Sequence, residues 1–251
     1  MIHVIYFSAT DTTKRIVTVI AEQLGSERNF LNLTVRQPQS VNMEKDDVVV
    51  LGVPVYGGRV PQLAAERLKA IHGQGQKAIA VCIYGNRDYD DALVELCDIA
   101  ENQGFTLIAA GAFIAEHCIF PKVATARPDD IDMKNINLFA ELCRHRIAGA
   151  EPFDKNQVKG KRPYLKPAGV PIHPKADKRL CTRCGLCAKE CPTGAITEVQ
   201  PYLTDNSICI SCCRCISVCP SRARAFGGLL YKIAGWKFTK DYSRRRDAEW
   251  F

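Results

Sequence analysis

Long hydrophobic runs are absent. No stretch of 18 or more apolar residues occurs in the 251-residue chain, so no segment is suited to crossing a bilayer as a helix. An export leader is also lacking: residues 1–8 have neither a basic n-region nor a long apolar h-region and read as a first strand. The expected location is therefore cytoplasmic, where thiols stay reduced. No G-x-G-x-x-G falls between a strand and a helix, which removes the dinucleotide fingerprint. No nucleic-acid recognition motif accompanies the basic residues, so no nucleic-acid partner is expected.

Cysteine is what the chain has in excess, with 13 residues. Secreted disulfide frameworks are usually short, and this chain is not. Nine of the cysteines fall between positions 181 and 219 at metal-ligand spacing. Cys82, Cys97, Cys118 and Cys143 are scattered and are expected to be small buried hydrophobes. Charge is placed as unevenly as sulfur. Residues 1–150 hold 15 Lys+Arg against 18 Asp+Glu, while residues 151–251 hold 19 against 9.

Residues 1–150 alternate strand and helix. Apolar runs at 2–7, 30–35, 47–55, 77–84 and 105–115 read as strands. The run at 47–55 is continuously apolar and β-branched, as for a central parallel strand. Helical spacing covers 13–24, 61–72, 89–102 and 128–148. Five strands separated by helices predict an α/β domain with a doubly wound parallel sheet. From 151 to 178 the texture changes: five prolines fall among seven Lys or Arg. This reads as a stiff linker wrapping over the sheet domain. Residues 227–251 form a basic, aromatic tail.

Between linker and tail lies an internal repeat. Residues 181–192 read CTRCGLCAKECP and residues 209–220 read CISCCRCISVCP, an offset of 28. Each copy is Cys-x2-Cys-x2-Cys-x3-Cys-Pro. Structural zinc uses Cys-x2-Cys pairs separated by a dozen or more residues, and the tight run does not fit it. The motif resembles the bacterial two-cluster ferredoxin, in which the fourth cysteine of each run ligates the other cluster. That resemblance implies a small α+β domain over 179–226 holding two 4Fe–4S clusters. One would take Cys181, Cys184, Cys187 and Cys219; the other Cys209, Cys212, Cys215 and Cys191. Cys213 stands where the first copy has Gly185, and reads either as a bystander thiol or as an alternative ligand. Arg183 and Arg214 read either as solvated charge or as groups that tune a cluster or dock an acidic partner.

Three loops of the first domain carry a second signal. Ser8, Ala9, Thr10, Asp11, Thr12 and Thr13 lie between strand 1 and a helix, where hydroxyls and backbone N–H groups form an anion site. The loop resembles the flavodoxin phosphate loop, Ser/Thr-x-Thr-Gly-Asn-Thr. Asp11 replaces the glycine and Thr12 the asparagine. The carboxylate must point outward, toward Lys14 or Arg15, to spare a phosphate. After strand 3 come Pro54, Val55, Tyr56, Gly57 and Gly58; after strand 4 come Tyr84, Gly85, Asn86 and Tyr89. Glycine allows close backbone approach and the aromatics offer stacking. The resemblance makes these residues FMN contacts. His117 reads either as a flavin or substrate contact or as a loop histidine satisfied by its neighbours.

Residues 2–226 together resemble the flavodoxin–ferredoxin fusion proteins of anaerobic prokaryotes. The resemblance implies a flavodoxin-like five-stranded sheet of order 2-1-3-4-5 over 1–150. It implies an electron carrier between FMN, two 4Fe–4S clusters and a redox partner protein. An FMN-dependent reductase of a small substrate and an iron–sulfur redox sensor remain as alternatives, and no catalytic residue is assigned. The tail reads as packing its aromatics on the ferredoxin domain or linker, or as a basic amphipathic helix on a membrane surface.

Overall fold

The computed structural model describes residues 1–35, 41–149, 152–167 and 169–251. The expected boundary at 150 and 151 lies outside the described residues. Strands β1 (Ile2–Tyr6), β3 (Val48–Pro54), β4 (Lys77–Tyr84) and β5 (Thr106–Ile114) pair in parallel, with β2 (Arg28–Asn32) outside β1. The order 2-1-3-4-5 is the one the flavodoxin resemblance implies.

The apolar strand runs supply both faces of this sheet. Val48 and Val50 of β3 face one core, with Ile16, Val17 and Ile20 of α1 (Thr12–Leu24) and Ile136 and Phe139 of α4 (Asp130–Ile147). Val49, Leu51 and Val53 face the other, with Leu68 of α2 (Gln62–Leu68) and Leu93 and Leu96 of α3 (Ala92–Asn102). Alternation along a strand sends neighbours to opposite faces. Each such side chain contributes about 1.5–3 kcal/mol by leaving water. Gly52 lets α1 approach: a Cβ there would lie 2.5 Å from a Val17 methyl. Asp129 starts α4 with a capping box, accepting from the Ile131 and Asp132 N–H groups.

One strand was not foreseen. β8 (Glu249–Trp250) pairs antiparallel with β5, making the sheet six-stranded. The tail therefore returns to the first domain. It does so through α7 (Leu229–Tyr242), whose Tyr231 stacks on Phe120 and whose Phe238 packs against the same ring at a tilt. The packing expected against the linker and ferredoxin domain is made by Tyr231, which stacks on Phe226 and joins the cluster of Ile172, Cys213 and Ile216. The opposite face of α7 exposes Leu229, Ile233 and Trp236.

The linker lies along α3. Buried Asp91 accepts from the Lys161 N–H at 2.8 Å and the Leu165 N–H at 2.7 Å. Arg162 pairs with Asp98, and Lys155 with Glu101 at 2.7 Å. The chain then enters β6 (Lys175–Ala176), which pairs with β7 (Arg224–Ala225) around the repeats. Each repeat contains one short helix: α5 (Leu186–Lys189) and α6 (Arg214–Ser217). Among the described residues, no helix is long and apolar enough to cross a membrane.

Candidate functional site

The carboxyl ends of β1, β3, β4 and β5 open into a cleft of about 1060 Å³. This is the place where doubly wound sheets bind ligands. Its floor includes Ala9, Thr10, Thr12, Thr13, Pro54, Val55, Tyr56, Gly57, Tyr84 and Gly85. Its roof comes from the other end of the chain: Pro171, His173, Cys209, Ile210 and Ser211. The local sequence signals found the floor. Nothing local announced the roof.

The loop before α1 has the shape an anion needs. Asp11 sits at φ 61° as the N-cap of α1 and makes no side-chain cap, so it adopts the left-handed turn that glycine would. Among the described residues its carboxylate pairs with neither Lys14 nor Arg15. Arg214 of the ferredoxin half holds it at 3.1 Å, donates to the Ala9 carbonyl at 3.3 Å, and pairs with Glu190 at 2.6 Å. Arg214 is thus an interdomain clasp, not solvated charge. The Ser8 hydroxyl is already occupied, accepting the Lys14 N–H at 3.1 Å. Ser8 and Asp11 shape the loop, while Thr10, Thr12 and Thr13 face the cleft.

The other two loops divide in the same way. Tyr56 and Arg59 exchange backbone hydrogen bonds at 2.9 and 3.2 Å around Gly57 (φ 60°) and Gly58 (φ 82°). This is the tight turn that two positive-φ residues make. Gly57 reaches the cleft; a Cβ on Gly58 would strike Asp90 at 2.2 Å, so that glycine serves packing. Burial and the nearby sulfurs of Cys212, Cys118 and Cys213 push the Tyr56 phenol well up.

Asn86 and Tyr89, expected at the flavin, lie outside the lining. The Asn86 amide donates to the Tyr242 and Arg244 carbonyls, each at 2.8 Å, and accepts from Arg127 and the Arg246 N–H, each at 3.2 Å. Tyr89 donates to Glu249 at 2.9 Å. Both residues anchor the C-terminal segment. A Cβ on Gly85 would lie 2.5 Å from the His117 ring. His117 lines the cleft, and its Nδ1 accepts from the Ile119 and Phe120 N–H groups at 3.2 and 3.1 Å. Burial lowers its pKa to about 4, so the ring is neutral.

The sulfur sites follow the repeat. Cys191, Cys209, Cys212 and Cys215, with Cys213 beside them, line one small cavity with Ala195, Ile196 and Thr204. Cys191 comes from the first repeat, the other three from the second. Cys187 is buried, Cys181 and Cys219 are half-buried, and Cys184 is exposed. The Cys219 sulfur accepts the Ala223 N–H at 3.3 Å. Among the described residues, no three Cys, His, Asp or Glu side chains converge on a single-ion site. A cuboidal cluster spaces its thiolates more widely than one zinc does, with Zn–S near 2.3 Å.

Two further thiols, Cys118 and Cys213, stand outside the ligand pattern. Cys118, expected to be buried with Cys82, Cys97 and Cys143, is exposed, and it lines the cleft. Cys213 is buried, and its sulfur donates to the Ser211 carbonyl at 3.6 Å. The nearby Cys213 side chain holds the Cys118 thiol below its ordinary range.

Comparison with known proteins follows this division. Residues 3–87 match the family model described as flavodoxin domain, and residues 174–197 match the 4Fe–4S binding domain. A ferredoxin-like protein in the nif region of Rhizobium leguminosarum bv. trifolii is 38% identical over 47 residues, covering 16% of this chain and 73% of that protein. Ferredoxin-1 of Chlorobaculum tepidum is 40% identical over 48 residues, covering 16% and 77%. Among solved structures, the flavodoxin of Streptococcus pneumonia TIGR4 aligns with TM-score 0.41 at 14% identity, covering 58% of this chain and 98% of that one. The rubredoxin oxygen:oxidoreductase of the anaerobe Desulfovibrio gigas aligns with TM-score 0.42 at 14% identity, covering 62% of this chain but only 37% of that one. The chain belongs to the ferredoxin family, joined here to a flavodoxin domain, and is an electron-transfer flavo-iron–sulfur protein with FMN and 4Fe–4S cofactors.

Proposed function

We propose that electrons pass between FMN in the cleft, an inner cluster, an outer cluster and a redox partner protein. The observation that carries this reading is a shared wall. Cys209, Ile210 and Ser211 line both the cleft and the cavity of Cys191, Cys209, Cys212 and Cys215. The inner cluster takes those four cysteines. The outer cluster takes Cys181, Cys184, Cys187 and Cys219, with Cys184 at the surface. When bound, the flavin supplies one- or two-electron exchange and each cluster one-electron exchange.

The chain's own residues provide the rest. The hydroxyls and amides of Thr10, Thr12 and Thr13, at the start of α1, hold the FMN phosphate. Tyr56, Gly57, Tyr84 and Gly85 face the ring. Arg214 removes the Asp11 charge from the phosphate's side. Arg67 ties the halves together, donating to the Leu33 and Thr34 carbonyls at 2.6 and 2.7 Å and to the Pro192 carbonyl at 3.0 Å. The exposed Cys184 loop and the basic second half suit an acidic partner in a reducing, cytoplasmic compartment.

Protein purified without oxygen is expected to carry one flavin and roughly eight irons per chain. Fewer than about four irons after anaerobic reconstitution overturns the two-cluster reading. A second reading follows from the size of the cleft, at the upper end of the roughly 300–1,000 Å³ of small-molecule sites. It leaves space for a small oxidant beside the flavin. Turnover with no protein acceptor present supports that reading, and its absence supports the carrier.

A further inference from the structure

We propose that the outer face of α7 seats the protein on an anionic lipid surface, with an apolar stripe in the headgroup boundary and lysines at the phosphates. Lipid binding by this face needs neither the flavin nor a redox partner.

α7 is apolar on two opposite sides. Tyr231, Phe238 and Tyr242 recur at spacings of seven and four along one side. That side is already taken. Tyr231 and Phe238 pack on Phe120, and the Tyr231 hydroxyl donates to the Ile119 carbonyl at 3.0 Å. A Cβ on Gly235 would lie 3.3 Å from the Phe120 ring. The Asn86 amide holds the far end, donating to the Tyr242 carbonyl at 2.8 Å. Leu229, Ile233, Trp236 and Lys240 recur at four, three and four along the other side, with Leu230 at its edge. Leu229, Leu230, Ile233 and Trp236 are 73, 58, 56 and 68 % exposed. A surface helix of a globular protein normally turns polar side chains outward. Four large apolar side chains on one helix face form a patch, and patches of this kind mark interaction sites.

The charges around the stripe identify what covers it. Lys232 flanks one edge and Lys237 the other. Lys240 closes the C-terminal end, with its ammonium 5.5 Å from the centre of the Trp236 ring. Arg244 follows. These four cations make no ion pair among the described residues, whereas Arg245 and Arg246 are held by Asp129 and Asp88. Asp241 is the one acid on α7.

A second copy laid face to face would set lysine against lysine, which like charges oppose. An anionic bilayer reverses that sign. Lysine stems lie along the apolar stripe while their ammonium groups rise to the phosphates, and tryptophan favours the same boundary. The stripe is also a ridge, about 10 Å long from Leu229 to Trp236. A fluid acyl layer takes a ridge without a shaped groove, which a protein partner would have to supply. Tyr231 packs with Ile172, Cys213 and Ile216, so a bilayer-bound α7 keeps the ferredoxin half beside the membrane.

The test uses anaerobic holoprotein whose iron and flavin are measured first. It is mixed with vesicles of phosphatidylcholine alone, or of phosphatidylcholine with one third phosphatidylglycerol, and sedimented. The expected result is binding to the anionic vesicles at least ~10-fold tighter than to the neutral ones, weakened by salt. Tryptophan emission should shift to the blue on binding; Trp250, stacked on Phe113, supplies a constant background. Trp236→Ala and Ile233→Asn should each weaken binding about 10-fold, and Trp236→Ala should remove the blue shift. Lys232→Gln and Lys237→Gln should each cost about 5-fold on anionic vesicles only. Val199→Asn, at a position 89 % exposed outside α7, should change nothing. Unchanged iron, flavin and melting midpoint keep the comparison among folded proteins. Absence of binding to anionic vesicles overturns the proposal, as does equal binding to both kinds. Wild-type affinity in both Trp236→Ala and Ile233→Asn also overturns it. A dimer in sedimentation velocity that Trp236→Ala dissolves, with no vesicle binding, assigns the face to a second copy and overturns the lipid reading.

Discussion

The two cysteine repeats share a backbone and differ in where they face. Residues 28 apart keep matching left-handed conformations: Arg183 (57°) with Ser211 (52°), Gly185 (74°) with Cys213 (68°), and Gly194 (70°) with Arg222 (52°). Cys191 meets the Thr193 hydroxyl at 3.7 Å, as Cys219 meets the Ser221 hydroxyl at 3.6 Å. The side chains then diverge. Cys212 is buried whereas its equivalent Cys184 is exposed, while Cys187 and Cys215 are both buried. Arg214, the clasp on Asp11, stands where the first repeat has exposed Leu186, and buried Arg224 stands where it has Ile196. One duplicated frame therefore offers two environments. Burial, nearby charge and hydrogen bonds to sulfur set a cluster's potential, so the two clusters should differ although their motifs do not.

The largest effect tests the crossing. Cys191→Ser removes a residue of the first repeat but should empty the inner site. Iron falls from roughly eight to roughly four per chain, with FMN retained and the remaining signal that of the outer cluster. Cys219→Ser should do the converse. Cys191→Ser protein that loses the outer cluster instead would show that each repeat ligates its own cluster.

Next comes Arg224. Its guanidinium is buried, donates to the Leu203 carbonyl at 3.2 Å and the Thr204 hydroxyl at 2.8 Å, and leaves Nε without a partner among the described residues. Its charge bears on Cys209 and Cys215. A buried cation favours the reduced, more negative cluster. Arg224→Met should lower the inner potential by about 60 mV or more, equal to ~1.4 kcal/mol for one electron. Arg224→Lys should recover part of the shift. Redox titration followed by electron paramagnetic resonance reads both clusters, and equal shifts in the two would break the inner–outer distinction.

Arg214 should matter less. Arg214→Ala leaves the Asp11 carboxylate uncompensated beside the phosphate loop. FMN binding should weaken about 5-fold, near 1 kcal/mol for a pair with one exposed partner. Leu186→Ala, the equivalent change in the first repeat, should leave flavin affinity unchanged. Fluorescence titration of apoprotein with FMN checks both, and an unchanged affinity in Arg214→Ala would remove the clasp from the flavin site.

These contrasts also show what the sequence made legible. The β-branched run of β3 and the 28-residue repeat are local patterns, and they led to the parallel sheet and to the set of cysteines; the strand order came from the flavodoxin resemblance. Asn86 and Tyr89 were misread because a glycine–aromatic turn looks alike whether it faces a ligand or a neighbouring segment. Their partners, Tyr242, Arg244 and Glu249, lie at the far end of the chain. Arg214 and Asp11 are 203 residues apart, so no local signal could pair them. β8 is two residues long and carries no period to recognise. Long-range polar contacts were hidden wherever a side chain's chemistry fits several partners.

The smallest effect tests the shared frame itself. Arg222 is exposed at φ 52°, and its side chain makes no hydrogen bond or ion pair among the described residues. Gly194, its equivalent, has φ 70°, and a Cβ added there would meet nothing within 4 Å. A left-handed residue with a Cβ costs roughly 1–2 kcal/mol, and glycine returns roughly 0.5–1 kcal/mol through the unfolded chain. Arg222→Gly should therefore stabilise the holoprotein by about 0.5–1 kcal/mol, raising its anaerobic melting midpoint by roughly 1–4 °C. Gly194→Arg should lower it by a similar amount, because open space at that position leaves backbone strain as the main difference. Unequal magnitudes would mean that the two halves hold the same backbone shape with different rigidity.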